Sequence, residues 1–178
     1  MSPYARRKRK RTRRLAGVAI LWILVVAVLF SGPRPVFSIP LPDGTDYPVR
    51  PITLDVSDRD AVWREAGRRY RAGHYTEAAQ LFEQLEAGGD LAARHEAALF
   101  LGISLLLNAR PAEARASLER ARALAGQIGM LGDAGDFYLG LAALAEDDID
   151  TATSLFEAAA GGRFDSDTRL LLTALRNP

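Results

Sequence analysis

The sequence predicts an all-α fold, in which helical hairpins stack side by side beyond one membrane-spanning helix. Three observations predict it: small and apolar residues recur at helical spacing, glycine and proline interrupt that spacing at intervals, and one long apolar run lies near the N-terminus. The stretch 97–121 shows the first most clearly. Gly102, Ala114 and Ala121 are small where two antiparallel helices have to touch, and leucines such as Leu118 fill the space around them. This stretch is therefore predicted to form a helical hairpin.

The charged residues are divided between the two ends of the chain. Eight of the 23 Lys and Arg residues lie between positions 6 and 14, and the first of the 22 acidic residues is Asp43. The formal net charge of +1 is therefore an average over a cationic tail and an acidic remainder, and it does not indicate nucleic-acid binding. Cysteine is absent, which excludes disulfides, thiolate nucleophiles and cysteine metal ligands.

An apolar run at 15–30 follows the basic cluster, and residues 31–32 extend it slightly. A bilayer span takes about 17 to 25 residues, and a dense basic cluster on one side only is typical of a cytoplasmic flank. We therefore expect a basic cytoplasmic tail at 1–14 and a transmembrane signal-anchor helix at 15–32. The remainder would lie on the extracytoplasmic side of a bacterial plasma membrane.

Three other interpretations of the N-terminus stay open. A cleaved signal peptide needs small residues after its apolar core, and only Ser31 and Gly32 meet that need. Residues 12–15 resemble part of a twin-arginine export signal, but Ala16 and Gly17 follow where that signal has bulky apolar residues. A basic run of this kind could also be a nucleic-acid arm, although its position beside a membrane span favours a topogenic role at lipid headgroups.

Residues 33–57 are predicted to form a semi-rigid spacer. They contain six prolines, which remove backbone donors and favour extended neighbours. Fully extended in a polyproline-like conformation, such a spacer could reach roughly 80 Å. The short apolar pieces 36–39 and 52–54 could instead pack onto the folded domain, and the sequence does not decide between these two arrangements.

Seven helices are predicted beyond Ser57, which with Asp60 forms a candidate cap for the first of them. Their predicted ranges are 58–72, 76–86, 91–108, 111–125, 133–146, 149–160 and 167–176. Pro111 fits the first turn of the fourth helix, where a missing N–H group costs nothing. The last helix has leucines on one side, so we expect it to cap the stack.

The predicted helices contain an internal repeat with an offset of 38 residues. Identical spacing relates Leu101, Gly102, Leu105, Ala109, Pro111, Ala114, Leu118 and Ala121 to Leu139, Gly140, Ala143, Asp147, Ile149, Ala152, Phe156 and Ala159. An earlier copy, between Trp63 and Leu85, keeps the same spacing in its second half. A two-helix unit cannot bury its apolar face alone, so such units stack and their ends need covers.

These residues resemble the tetratricopeptide repeat, whose pattern is an aromatic, then Leu-Gly, an aromatic or leucine, a turn, then Ala, an aromatic or leucine, and Ala. The resemblance covers residues 58 to about 162. It implies a domain at 58–178 made of three helical hairpins and a C-terminal capping helix, coiled into a right-handed α-solenoid. It also implies a scaffold for protein–protein interaction, similar to membrane-anchored bacterial envelope proteins that assist assembly or secretion. The first copy is one residue short, and no copy closes with the family's proline.

The resemblance further implies a concave groove that binds a protein or peptide partner, because the first helix of each pair lines that surface in the family. The implied groove residues are Leu99, Phe100, Ile103, Leu107, Phe137, Tyr138 and Leu141, with Arg64, Arg68 and Arg71 at the rim. An extended or helical segment with acidic and apolar side chains would fit it. The competing interpretation is core packing, since the helix at 91–108 is apolar on nearly all sides.

Catalytic, metal and cofactor sites are not predicted. His74 and His95 lie far apart and have no cysteine to share a metal with. Asp147, Asp148 and Asp150 resemble a calcium-binding cluster only superficially, because they begin a helix, where acidic groups favour the dipole and cap free N–H groups. No phosphate-binding glycine motif follows a strand, and no serine has a histidine-bearing motif beside it.

Two hypotheses from other classes accompany the scaffold interpretation. In the first, the apolar surface is an interface between copies of this chain, and the chain is a self-associating structural module. In the second, the chain is an enzyme with a carboxylate site that no motif reveals. The scaffold hypothesis expects a protein or peptide partner, the membrane through residues 15–32, and no nucleic acid.

Overall fold

The computed structural model describes residues 37–130 and 132–176. In these residues the fold is all-α apart from one short β-hairpin, so the predicted class is confirmed at that level. The helices are α1 (Ala61–Arg71), α2 (Tyr75–Glu86), α3 (Leu91–Leu107), α4 (Pro111–Ile128), α5 (Asp133–Ala145), α6 (Ile149–Ala159) and α7 (Asp165–Arg176). Each coincides with one predicted helix, and its ends lie within three residues of the prediction.

The predicted basic tail at 1–14 and the predicted transmembrane helix at 15–32 lie outside the described residues. Among the helices that are described, none has both the length and the apolar character needed to cross a bilayer.

Side-chain caps and turn residues set the helix boundaries. Asp60, rather than Ser57, caps α1, because its carboxylate accepts hydrogen bonds from the second and third backbone N–H groups of the helix at 2.9 and 3.0 Å. Asp90 caps α3 by accepting from the N–H of Ala93 at 2.8 Å. Gly129 ends α4 in the left-handed conformation, with φ at 67°. The first helix therefore begins three residues later than the sequence predicted.

Glycines let two pairs of helices approach closely. A Cβ atom on Gly102 of α3 would lie 2.5 Å from Cγ of Leu118 on α4 and 3.2 Å from the carbonyl oxygen of Ala114. At the equivalent repeat position, a Cβ on Gly140 of α5 would lie 2.7 Å from the ring of Phe156 on α6. The repeat thus places the same type of contact in both pairs, a large side chain against a glycine.

The helices pack in the order of the chain. Each contacts the next one from α1 to α7, and α3 also contacts α5. Aromatic side chains also join parts of the chain that are not consecutive: the ring of Tyr70 on α1 meets that of Phe100 on α3 edge to face at 5.4 Å between centroids. Further along, Phe137 stacks on Phe164 at 4.3 Å. One continuous apolar core therefore extends through the helical part of the chain.

Residues 37–57 differ from the semi-rigid spacer that their prolines predicted. Strands β1 (Ser38–Pro40) and β2 (Asp46–Pro48) pair antiparallel, and each ends on a proline, whose missing N–H group is tolerated at a strand end. Ile39 and Val49 are fully buried, and β1 contacts α5. The short apolar pieces thus pack onto the helices, which is the second of the two arrangements that the sequence allowed.

Candidate functional site

Residues 50–56, which we call the extended segment, lie across α1 and α5. Ile52, Leu54 and Val56 are turned inward and at least half-buried, whereas the residues between them are exposed. This period of two is typical of a strand. On α1 the segment packs over Gly67, where a Cβ atom would lie only 3.0 Å from the Val56 side chain. The apolar face of the segment is therefore fitted closely to the helices.

Two side chains bind the backbone of the extended segment. The hydroxyl of Tyr138 on α5 donates a hydrogen bond to the carbonyl oxygen of Arg50. The guanidinium of Arg71 on α1 donates to the carbonyl oxygen of Leu54 at 3.5 Å. The segment is therefore held at two points, by one helix at Arg50 and by another at Leu54.

Buried tyrosines surround the segment as neutral groups. Burial raises the pKa of Tyr138 and of Tyr70 above the ordinary value for a phenol. Burial also raises the pKa of Tyr47, and the nearby carboxylate of Asp167 adds to this effect. The hydroxyl of Tyr70 lies beside the backbone of Ile52 but forms no hydrogen bond within the described residues. Each hydroxyl therefore keeps its proton at neutral pH.

The apolar residues that were predicted to line a groove are buried. They are Leu99, Phe100, Ile103, Leu107, Phe137, Tyr138 and Leu141. None is more than 8% exposed. The extended segment lies against Tyr138, and Phe164 stacks on Phe137. Core packing, the competing interpretation, therefore describes their state.

The arginines that were expected at the rim of the groove are exposed on α1. Arg64, Arg68 and Arg71 line a recess of about 570 Å³ together with Val56 and other residues. Arg68 forms an ion pair with Glu65, whereas Arg71 donates to backbone. An exposed ion pair of this kind contributes little to stability.

A larger open cleft of about 800 Å³ lies between the extended segment and the first turns of α3. Its walls include Ile52, Thr53, Leu54, Asp55, Asp58, Arg59, Asp90, Ala92, Ala93, His95, Glu96, Leu99, Phe100, Met130, Ala134 and Arg163. Of the predicted groove residues, Leu99 and Phe100 contribute to it. The sequence did not identify Thr53 or Asp55 as site residues, although the alternation of apolar residues around them is visible in it.

An ion pair lies in the wall of the cleft. The guanidinium of Arg59 pairs with the carboxylate of Glu96 and lies 4.9 Å from the centroid of the Trp63 ring. Burial raises the pKa of Glu96, and the charge of Arg59 opposes that shift. Burial lowers the pKa of His95, so this side chain is neutral at neutral pH. The pair links the residue before the cap of α1 to α3 across the wall of the cleft.

The cleft carries more negative than positive charge. Four carboxylates line it, those of Asp55, Asp58, Asp90 and Glu96, against two guanidinium groups. Arg59 is already paired with Glu96, so among the residues that line the cleft only the guanidinium of Arg163 is left to offset the other three carboxylates. A ligand in the cleft would therefore contact apolar side chains and be surrounded by a net negative charge.

The two histidines of the chain lie apart from each other. His74 lies in the turn before α2 and His95 in the cleft wall, and within residues 37–130 and 132–176 no three His, Asp or Glu side chains gather as metal ligands would. No known protein family's model matches this chain, and no curated protein is significantly similar to it. The class that fold and cleft define is an all-α domain with an open cleft beside a packed extended segment.

Proposed function

We propose that this chain is a membrane-anchored scaffold for protein–protein interaction. It presents a tetratricopeptide-like domain on the extracytoplasmic side of a bacterial plasma membrane, where it serves envelope assembly or secretion. The observation that carries the proposal is the cleft of about 800 Å³ beside the extended segment. Its volume is that of a pocket for a bound group, and its walls combine apolar and charged side chains.

The repeat supports the tetratricopeptide-like assignment. The glycine-to-large-residue contacts of Gly102 with Leu118 and of Gly140 with Phe156 recur at the 38-residue offset. In a right-handed stack of such hairpins, the first helices of the pairs, here α1, α3 and α5, form one face. The extended segment contacts two of these helices, which is consistent with a face suited to extended chain.

The membrane anchor rests on the sequence. The apolar run at 15–30 has a dense basic cluster on its N-terminal side only, which favours a cytoplasmic N-terminus. Protease accessibility of the C-terminal part in sealed cells and in spheroplasts tests this orientation. Digestion of the C-terminal part in spheroplasts but not in sealed cells supports the orientation. Protection of that part in intact spheroplasts contradicts it.

Partner binding is assigned to the cleft and not to the groove predicted from the sequence. That groove is filled by core packing, whereas the cleft is open and shares Leu99 and Phe100 with it. The arginines of α1 line a separate recess.

Photo-crosslinking in intact cells tests this assignment. A photoreactive residue replaces Ala92, the second residue of α3, which is exposed and lines the cleft. The matched control is Ala112, the second residue of α4, which is also exposed. A discrete protein adduct from position 92 and none from position 112 supports the proposal. Adducts only between copies of this chain would support the self-associating module instead.

A further inference from the structure

The extended segment has one bonded edge and one open edge. In an extended chain, the backbone N–H and C=O groups of successive residues point to opposite edges. The carbonyl groups of Arg50 and Leu54 are held by side chains, and Ile52 faces the Tyr70 hydroxyl. Thr53 and Asp55 point the other way. Within the residues that the structure describes, the backbone N–H and C=O groups of these two form no hydrogen bond.

This open edge lies in the wall of the cleft. Thr53 and Asp55 both line it and are both exposed, so water reaches their backbone groups. An exposed strand edge of this kind is a template for pairing with another chain. The cleft provides the room beside the edge that a second strand needs, since paired strands lie about 4.8 Å apart.

The walls of the cleft specify the side chains of such a strand. Below the edge lie the apolar groups of Leu99, Phe100 and Ala93, which suit alternate apolar side chains. The border carries Asp58 and Asp90, whose charges suit lysine or arginine at the ends of the strand. An acidic strand would meet like charges there.

We propose that the open edge of Thr53 and Asp55 pairs with an extended segment of a partner protein that is apolar at alternate positions and flanked by basic residues. This inference rests on the proposed function and names the chemistry of its partner. A lipid surface cannot supply the backbone groups that the edge lacks. A second copy of residues 52–58 would bring its own Asp55 and Asp58 against these carboxylates.

The test uses the full-length chain in detergent micelles and a synthetic fluorescent peptide, Lys-Val-Thr-Val-Thr-Val-Lys. Fluorescence anisotropy measures its affinity. We expect binding that weakens at least about tenfold when both lysines become glutamates. The cationic tail of the chain repels this probe, so it does not create false binding.

Peptides methylated on backbone nitrogen separate strand pairing from charge attraction without changing the protein. Methyl groups are placed on the valine amides in one peptide and on the threonine amides in another. Because only one alternate set of amides faces the edge, one of the two peptides should lose binding and the other keep it. Equal binding by both, or equal loss by both, overturns the proposal.

Variants of the chain locate the site. Thr53→Pro removes one edge donor and should weaken binding at least about tenfold, whereas Thr53→Ala, which keeps the backbone, should change it less than about twofold. Asp58→Lys should weaken binding, and Glu83→Lys, an exposed carboxylate on α2, should not. Circular dichroism checks that Thr53→Pro remains helical. If this variant loses its helicity, the comparison of the two methylated peptides on the unsubstituted chain still tests strand pairing.

Two outcomes separate this inference from the proposed function. If the peptide binds every variant equally while Ala92 still crosslinks to a protein in cells, the strand-pairing inference fails and the scaffold stands. If light scattering shows a dimer that Thr53→Pro abolishes, and the peptide does not bind, a second copy occupies the edge and both proposals fail.

Discussion

The hydroxyl of Tyr138 donates a hydrogen bond to the carbonyl oxygen of Arg50, which lies 88 residues earlier in the chain. This bond joins the beginning of the extended segment to α5. It makes a stretch that precedes the first helix part of the same folded unit as the fifth.

The Tyr138 contact predicts a measurable effect on stability. Tyr138→Phe removes the donor and leaves the Arg50 carbonyl without it, which should lower the free energy of unfolding by about 1 kcal/mol. Tyr70→Phe is the matched control, because that buried hydroxyl has no hydrogen bond in the described residues, and its loss should be neutral or slightly stabilising. Urea unfolding followed by circular dichroism measures both. Equal effects of the two changes would show that the Tyr138 bond does not form.

Packing of the extended segment predicts a larger effect. Leu54 is only 2% exposed, so Leu54→Ala should lower the free energy of unfolding by about 2–5 kcal/mol. Thr53→Ala, at the exposed neighbouring position, should change it by less than about 0.5 kcal/mol. A free spacer would give no difference between the two variants in urea unfolding, and that result would contradict the packed segment.

The helices could be predicted because their signals are local. Small and apolar residues at helical spacing, with Pro111 at a helix start and Gly129 at a helix end, fix the type and the approximate ends of each element. The cap of α1 was placed wrongly because Ser57 and Asp60 are both good caps. Only the packing shows that Ser57 belongs to the preceding chain, where its hydroxyl donates to Asp55 at 2.8 Å.

The site could not be predicted because its shape depends on which helix surfaces are covered by distant parts of the chain. Phe100 and Leu141 are buried, and burial depends on contacts between parts of the chain that are distant in sequence, which no local pattern reports. A signal for the extended segment was present: Ile52, Leu54 and Val56 alternate with polar residues. The prolines before it favoured a spacer, yet proline is equally compatible with extended chain that packs.

The glycine contacts between paired helices predict opposite effects at two helical glycines. Gly102→Ala should destabilise the protein by about 1–3 kcal/mol, because its Cβ would fall 2.5 Å from Leu118 and 3.2 Å from a backbone oxygen. Gly126→Ala, in the exposed part of α4 with nothing within 4 Å, should stabilise it by about 0.5–1 kcal/mol. Thermal unfolding compares the two variants. A stabilising Gly102→Ala would show that α3 and α4 do not approach as described.

The partly buried side chain of Glu96, in the wall of the cleft, predicts a dependence of stability on pH. Burial raises the pKa of Glu96 in the folded state above its ordinary value of 4.5, against the opposing charge of Arg59. Well below pH 4.5 the side chain is protonated in both states and its ionisation has no effect on stability. As pH rises through the folded-state pKa, ionisation costs more in the folded state, so this group lowers stability.

Glu96→Gln removes that cost. The free energy of unfolding of this variant, minus that of the unsubstituted chain, should therefore increase between pH 4 and pH 7, whatever its value at pH 4. Taking the difference cancels the titration of all other groups that the substitution leaves unchanged. Urea unfolding at several pH values measures it. A difference that falls with rising pH would mean that the ion pair with Arg59 outweighs burial, and that Glu96 is a stabilising partner at neutral pH.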